Sequence, residues 1–222
     1  MTRGIVVGYS GGVTSAWCLS WALNSFPREE VVALFHDTRR EDADTYRYLR
    51  EMAAKLDIGI TERSDGRSVE EVEDDEHALA NNRMAFCSRI LKIHQRERYF
   101  DELRDAGVTD IALVLAFSAN EPERVERARA SAWAGGYTVK FPMIEIGMTK
   151  QACADWSVSI GVPIPRMYAW SDHANCVGCR RGGKAYWLAV KENAPNGRWA
   201  RSTNTSWSRS SGGRNVVRAS MT

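Results

Sequence analysis

The chain lacks the features that would place it in several large protein classes. No stretch stays apolar for long. The longest uninterrupted run, Ile111 to Phe117, falls far below the roughly 20 residues that span a bilayer. Met1-Thr2-Arg3-Gly4 passes straight into Ile5-Val6-Val7 with no apolar signal segment between, so a cytoplasmic protein without a membrane partner is expected. Cysteine is sparse and odd in number, five in 222 residues, which is the wrong pattern for a secreted disulfide scaffold. In a reducing compartment those five read as core residues, ligands or nucleophiles. Net charge is nearly absent: 30 Lys and Arg face 28 acids, for a balance of +2 that argues for no class of partner. The distribution is less even. Glu62 to Glu76 holds eight acids and reads as a solvated loop or helix, whereas no acid follows Pro195 and five arginines do.

What is present fits a globular domain with a sizeable core: 44% hydrophobic and 26% charged residues. Strand-like and helix-like segments alternate. Ile5 to Tyr9, Val31 to Phe35, Ile58 to Thr61, Asp110 to Ser118 and Tyr137 to Ile144 read as five strands. Thr14 to Leu23, Asp42 to Leu56, Met84 to Leu103, Pro122 to Trp133, Lys150 to Ile160 and Gly183 to Lys191 read as helices, with Pro122 at a helix start and Thr149 as an N-cap. Repeated βα units predict an α/β fold: a doubly wound, mostly parallel five-stranded sheet with helices on both faces, Rossmann-like. Residues 1–192 form the domain in this reading. Residues 193–222, rich in Ser, Arg and Gly, form a flexible tail whose five arginines and two tryptophans suit a nucleic-acid substrate. Ligands of such folds bind beyond the carboxyl ends of the strands, which directs attention to Ser10–Ser15, His36–Thr38 and Phe117–Arg124.

Ser10-Gly11-Gly12-Val13-Thr14-Ser15 lies between the first strand and the first helix. Glycines there let the backbone approach an anion, the helix start supplies unpaired N–H groups, and Ser10, Thr14 and Ser15 add hydroxyls. The segment has neither the Gly-Lys-Ser/Thr ending of a Walker A loop nor the G-x-G-x-x-G fingerprint.

This turn resembles the PP-loop, S-G-G-x-[DT]-S, of ATP pyrophosphatases and 3′-phosphoadenylyl-sulfate (PAPS) reductases. His36-Asp37-Thr38 with Asp44-Thr45-Tyr46 is similar to that superfamily's D-T-G segment and downstream E-T-Y. Cys87 to Lys92 resembles its C-x-x-x-L-K, and Glu121 to Arg124 its E-x-x-R after the fourth strand. Phe141 to Glu145, Met148 to Lys150 and Asn175-Cys176-Val177-Gly178-Cys179 with Gly182-Gly183-Lys184 resemble the C-terminal half of PAPS-reductase-like proteins common in phages and mobile elements. The likeness runs from Ile5 to about Trp187.

The resemblance implies an enzyme that binds ATP or a PAPS-type adenine nucleotide with Mg²⁺. Ser10, Gly11, Gly12, Thr14, Ser15, His36, Asp37, Thr38 and Glu121 would form the nucleotide contacts, and Ser10, Lys92 and Arg124 the catalytic groups. Attack on the α-phosphate would leave an adenylated intermediate and pyrophosphate, coupled to sulfur transfer from a sulfur or electron donor protein. The alternatives are a sulfonucleotide reductase releasing sulfite, or a silent nucleotide sensor or nucleic-acid-binding accessory. A homodimer is also expected. Three departures stand out. Thr14 replaces an acid, Arg39 stands where the D-T-G motif has glycine, and no E-C-G-x-H segment follows Cys179. Reduction of PAPS therefore needs Cys176 or Cys179 as its nucleophile.

Cys176-x-x-Cys179 sits in a glycine-flanked loop with Cys87 as a distant partner. Several readings stay open: three metal ligands of a [4Fe–4S] cluster with one open iron, structural zinc completed by His173 or His94, a redox disulfide within the pair, or three unrelated thiols. Cys18 and Cys153 fall at helical core positions, and His77 and His94 read as surface or core residues.

Overall fold

The computed structural model describes residues 2–81, 83–174 and 176–193. Asn175 and the arginine- and tryptophan-bearing tail from residue 194 onwards lie outside the described residues, and with them the expected nucleic-acid contact.

Five strands, β1 (Thr2–Gly8), β2 (Val31–His36), β3 (Ile60–Arg63), β4 (Val108–Val114) and β5 (Thr138–Lys140), form one parallel sheet in the order β3-β2-β1-β4-β5. The helices, in chain order, are α1 (Val13–Ser25), α2 (Ala43–Lys55), α3 (Val69–Asp75), α4 (Phe86–Ser88), α5 (His94–Asp105), α6 (Pro122–Ala134), α7 (Pro142–Ile146), α8 (Lys150–Ser159) and α9 (Lys184–Asn193). Among the described residues none is long and apolar enough to cross a membrane.

Alternation along the strands builds two cores. Ile5 and Val7 of β1, Ala33 and Phe35 of β2 and Ala112 and Val114 of β4 pack with Ala16 and Leu19 of α1, Leu49 and Met52 of α2 and Cys153 of α8. Val6, Leu34, Ile111 and Leu113 face the other way, onto Tyr99 and Phe100 of α5. The chain winds outward from β1 to β3, then returns to the opposite side of β1 as β4. The carboxyl ends of β1 and β4 thus flank the switch point where such sheets open a crevice.

The fold class matches expectation, but some boundaries move. The segment expected as a fifth strand to Ile144 is a strand only to Lys140, because Pro142 occupies the first turn of α7, where its missing N–H costs nothing. The third strand lies two residues later, beyond Gly59. The fourth leaves the sheet after Val114, and Leu115 to Phe117 enter the connecting loop. The long helix expected at Met84 begins at Phe86 and carries a π-turn over Arg89–Ile93 between α4 and α5. The acidic stretch is no simple solvated segment: α3 begins with a Ser68–Glu71 capping box and buries Val69, Val72 and Glu73.

Candidate functional site

The glycine turn stands on a rigid base. Tyr9 is fully buried and its hydroxyl donates to the Leu49 carbonyl at 3.0 Å, pinning the end of β1 to α2. Gly11 has φ +78°, and a Cβ there would meet Thr45 Cγ2 at 2.5 Å and Leu49 Cγ at 3.1 Å. Only glycine fits both the backbone and the space. Ser15 closes the turn from inside: its Oγ donates to the Gly12 carbonyl at 2.9 Å, accepts from Ser10 N–H at 3.1 Å, and lies 3.3 Å from Ser10 Oγ. No acid occupies the first turn of α1, so nothing opposes the positive end of the helix dipole.

At the carboxyl end of β4, Glu121 accepts from Ser118 N–H at 3.1 Å and from Ser118 Oγ at 3.2 Å. It also pairs with Arg124, whose guanidinium lies 4.1 Å from the Phe117 ring centre. Phe117 stacks on Phe141 across the ends of β4 and β5, with centroids 5.7 Å apart. This gives the crevice an aromatic and cationic wall.

The end of β2 divides its residues between other tasks. His36 belongs to the face packed on α5. Burial first, then the cations Lys92, Arg96 and Arg63, lower its pKa to about 3, so the imidazole is neutral. Asp37 accepts from Tyr46 Oη at 2.5 Å and from Arg39 N–H at 2.8 Å. Thr38, buried, donates to Glu41 Oε1 at 3.0 Å and lies 3.1 Å from Cys176 Sγ. Cys176 Sγ is in turn 3.7 Å from Glu41 Oε1. The thiol donates to Glu41 Oε1, the same oxygen that accepts from Thr38 Oγ1, so sulfur, hydroxyl and carboxylate form one hydrogen-bonded triangle.

Lys92, on the π-turn, completes this cluster. Its ammonium is held well above the usual lysine range chiefly by Cys176, with Glu41, Cys179 and Cys87 adding to the effect. Burial first, then the charge of Glu41, push the Cys176 thiol up to about 12 while Lys92 works in the opposite direction. Burial also raises Glu41, which is 3% exposed. π-turns recur at functional sites because the widened ladder turns one side chain out of helical register. Here that side chain is the cation.

The cysteine loop is sewn down by long-range contacts. Val177 N–H donates to the Arg40 carbonyl at 2.7 Å. Tyr186 Oη accepts from Gly178 N–H at 3.0 Å and donates to the Cys176 carbonyl at 2.9 Å. Arg180 grips the buried Glu73 carboxylate through Nε at 3.1 and 3.2 Å and Nη2 at 3.0 Å. Burial raises the Cys87 thiol as well, and the charge of Cys179 adds to the rise.

These groups do not fit a metal centre. Among the described residues no group of three or more His, Cys, Asp or Glu side chains could hold a metal ion. The charges of Cys176, Cys179 and Cys87 all act on the Lys92 ammonium, which would oppose a second cation among them, and Cys176 is engaged with Thr38 and Glu41. His173 and His94, the expected fourth ligands for zinc, are both exposed. The acids beside the glycine turn are committed too: Asp42 to Arg166 and Asp44 to Arg47. A Mg²⁺ ion would therefore have to arrive with nucleotide phosphates rather than on protein carboxylates.

The sequence-predicted residues thus fall into three groups. Ser10, Gly11, Gly12, Thr14 and Ser15 form the turn; Glu121 and Arg124 pair beside the switch point; Thr38, Lys92 and Cys176 meet in the thiol cluster. Cys18 and Cys153 are fully buried core residues, and His77 is exposed. Glu41, Tyr168, Tyr186 and the Glu73–Arg180 pair escaped the sequence reading. Only Glu41, three residues after Thr38 in a loop at a strand's carboxyl end, carried a local signal.

Residues 4–111 match the family model described as the phosphoadenosine phosphosulfate reductase domain. Among solved structures, the phosphate complex of phosphoadenylyl-sulfate (PAPS) reductase from Candida auris aligns with 17% identity and a TM-score of 0.48, covering 76% of this chain and 77% of that one. No curated protein matches the chain.

Proposed function

On the footing that residues 4–111 form a PAPS-reductase-like domain of the PP-loop superfamily, we propose that this protein is a cytoplasmic enzyme that holds the phosphates of an adenine sulfonucleotide in the Ser10–Ser15 turn and cleaves it with Cys176. The observation that carries this reading is the triangle of Cys176, Thr38 and Glu41 beside Lys92. The thiol proton passes to the Glu41 carboxylate that it faces, Thr38 steadies both groups, and the Lys92 ammonium offsets the thiolate charge. Cys176 Sγ attacks the sulfuryl sulfur, a sulfur–sulfur bond forms, and the sulfur–oxygen bond to the nucleotide breaks with the nucleotide leaving as its phosphate anion. Cys179 then attacks Cys176 Sγ; sulfite departs and a disulfide remains within the pair. Two thiols lose the two electrons that sulfate sulfur gains. A protein or small-molecule dithiol would reduce the pair for the next cycle. The pair supplies within one loop both thiols that the absent E-C-G-x-H segment would have left wanting.

A second reading keeps ATP as the nucleotide, with loss of pyrophosphate from the α-phosphate. It is favoured by Arg124, a cation stacked on Phe117 at the crevice wall where charge on a leaving pyrophosphate would need offsetting. One assay separates the two. Full-length protein is incubated with adenylyl sulfate or PAPS and excess dithiothreitol, and separately with ATP and Mg²⁺. The first reading expects sulfite and the nucleoside phosphate from the sulfonucleotide, abolished in Cys176→Ser. Formation of AMP and pyrophosphate from ATP, with no sulfite in the other arm, would replace it by the second.

A further inference from the structure

The segment after α8 sets a phenol on the glycine turn. A 3-10 turn at Arg166–Ala169 is clamped to the start of α2, because Arg166 donates to both carboxylate oxygens of Asp42 at 2.8 Å and its backbone N–H donates to Asp44 at 2.8 Å. The clamp directs Tyr168 toward α1. Its hydroxyl oxygen accepts from Val13 N–H at 3.2 Å, the first residue of the helix, and would lie 3.1 Å from a Cβ on Gly12. Lys150 Nζ stands 5.0 Å from the centre of the ring.

A tyrosine hydroxyl has two acceptor positions and one proton. The bond from Val13 uses the oxygen as acceptor, which leaves the proton for another group. Next to a helix N-terminus, the hydroxyls of Ser10 and Ser15 and a lysine ammonium, the group suited to receive that proton is an anionic oxygen. We propose that Tyr168 is a phosphate-recognising residue of the nucleotide site, accepting from Val13 N–H while donating its O–H to a nucleotide phosphate oxygen. This rests on the reading that the turn binds nucleotide phosphate. Tyr168 lies 155 residues from Val13 in the chain and outside every motif that pointed to the site.

The experiment uses full-length protein, wild type and Tyr168→Phe, titrated calorimetrically with AMP and with adenosine. The variant keeps the ring and removes only the oxygen. AMP binding should weaken on the order of tenfold, the scale of one hydrogen bond to a charged group, while adenosine binding is unchanged and reports that the crevice is folded. Equal weakening for both ligands, or unaltered AMP binding, would overturn the proposal and leave the nucleotide reading standing. A wild type that binds neither ligand would overturn both.

Discussion

At the scale of single residues, His36 gives the clearest prediction. Its folded-state pKa, lowered to about 3 by burial and then by Lys92, Arg96 and Arg63, lies well below the ordinary 6.5. Between those values the unfolded chain binds a proton that the folded chain refuses, so His36 makes stability fall as pH drops. The full slope from one such group is about 1.4 kcal/mol per pH unit. His36→Gln removes that contribution. Urea denaturation from pH 7 down to 4 should show a shallower loss of stability in the variant than in the wild type, and parallel curves would refute the assignment. Gly11 is the second case. Alanine there must accept φ +78° and a contact of 2.5 Å with Thr45 Cγ2. Strain of about 1 to 2 kcal/mol and overpacking of about 1 to 3 kcal/mol add in the same direction. Thermal unfolding should show a lowered Tm for Gly11→Ala, with nucleotide affinity lost even at temperatures where the variant is folded.

At the scale of elements, the cysteine loop depends on contacts made far along the chain. Arg180 satisfies a Glu73 carboxylate that is 5% exposed and also accepts from Ala80 N–H at 3.2 Å. Arg180→Ala leaves that charge buried without its cation. Because Arg180 is itself partly exposed, a loss of about 1 to 3 kcal/mol is expected. The loss should be concentrated locally: amide exchange should speed up in 176–193 and in α3 well before β1 and β4. Uniform acceleration across the sheet would mean that the loop is held by something else. The same element explains why sequence reading stopped where it did. Ser10–Ser15 is legible because its residues act within one turn, so residue type and local spacing carry the information. Arg180 meets Glu73 across 107 residues and Cys176 meets Glu41 across 135, and no periodicity reports such pairs. The acidic segment therefore read as solvated although one of its members anchors the thiol loop.

At the scale of the whole molecule, the βα alternation was enough to fix the parallel sheet and its two helical layers, since Ile5, Val7, Phe35 and Val114 point one way and Val6, Leu34 and Leu113 the other. Strand ends were harder to read: Leu115 N–H still bonds the Lys140 carbonyl, and the apolar run continues past it through Ala116 to Phe117 at the crevice wall. Cys87, Cys176 and Cys179 were read together as ligands, whereas in the structure the charges of all three act on Lys92, a cation that the proposed nucleophilic role of Cys176 uses. Lys92→Met is expected to abolish sulfite release. Its Cys176 thiol should also alkylate more slowly than in the wild type at the same pH, which a stopped iodoacetamide time course would show.

The strand lengths carry one more consequence. The inner strands β1, β2 and β4 have seven, six and seven residues, while the outermost, β3 and β5, have four and three. Unpaired backbone at a border is a template on which other chains can grow, and its reach scales with its length. With borders this brief, growth of molecules side by side into fibrils gains few ladder bonds per contact.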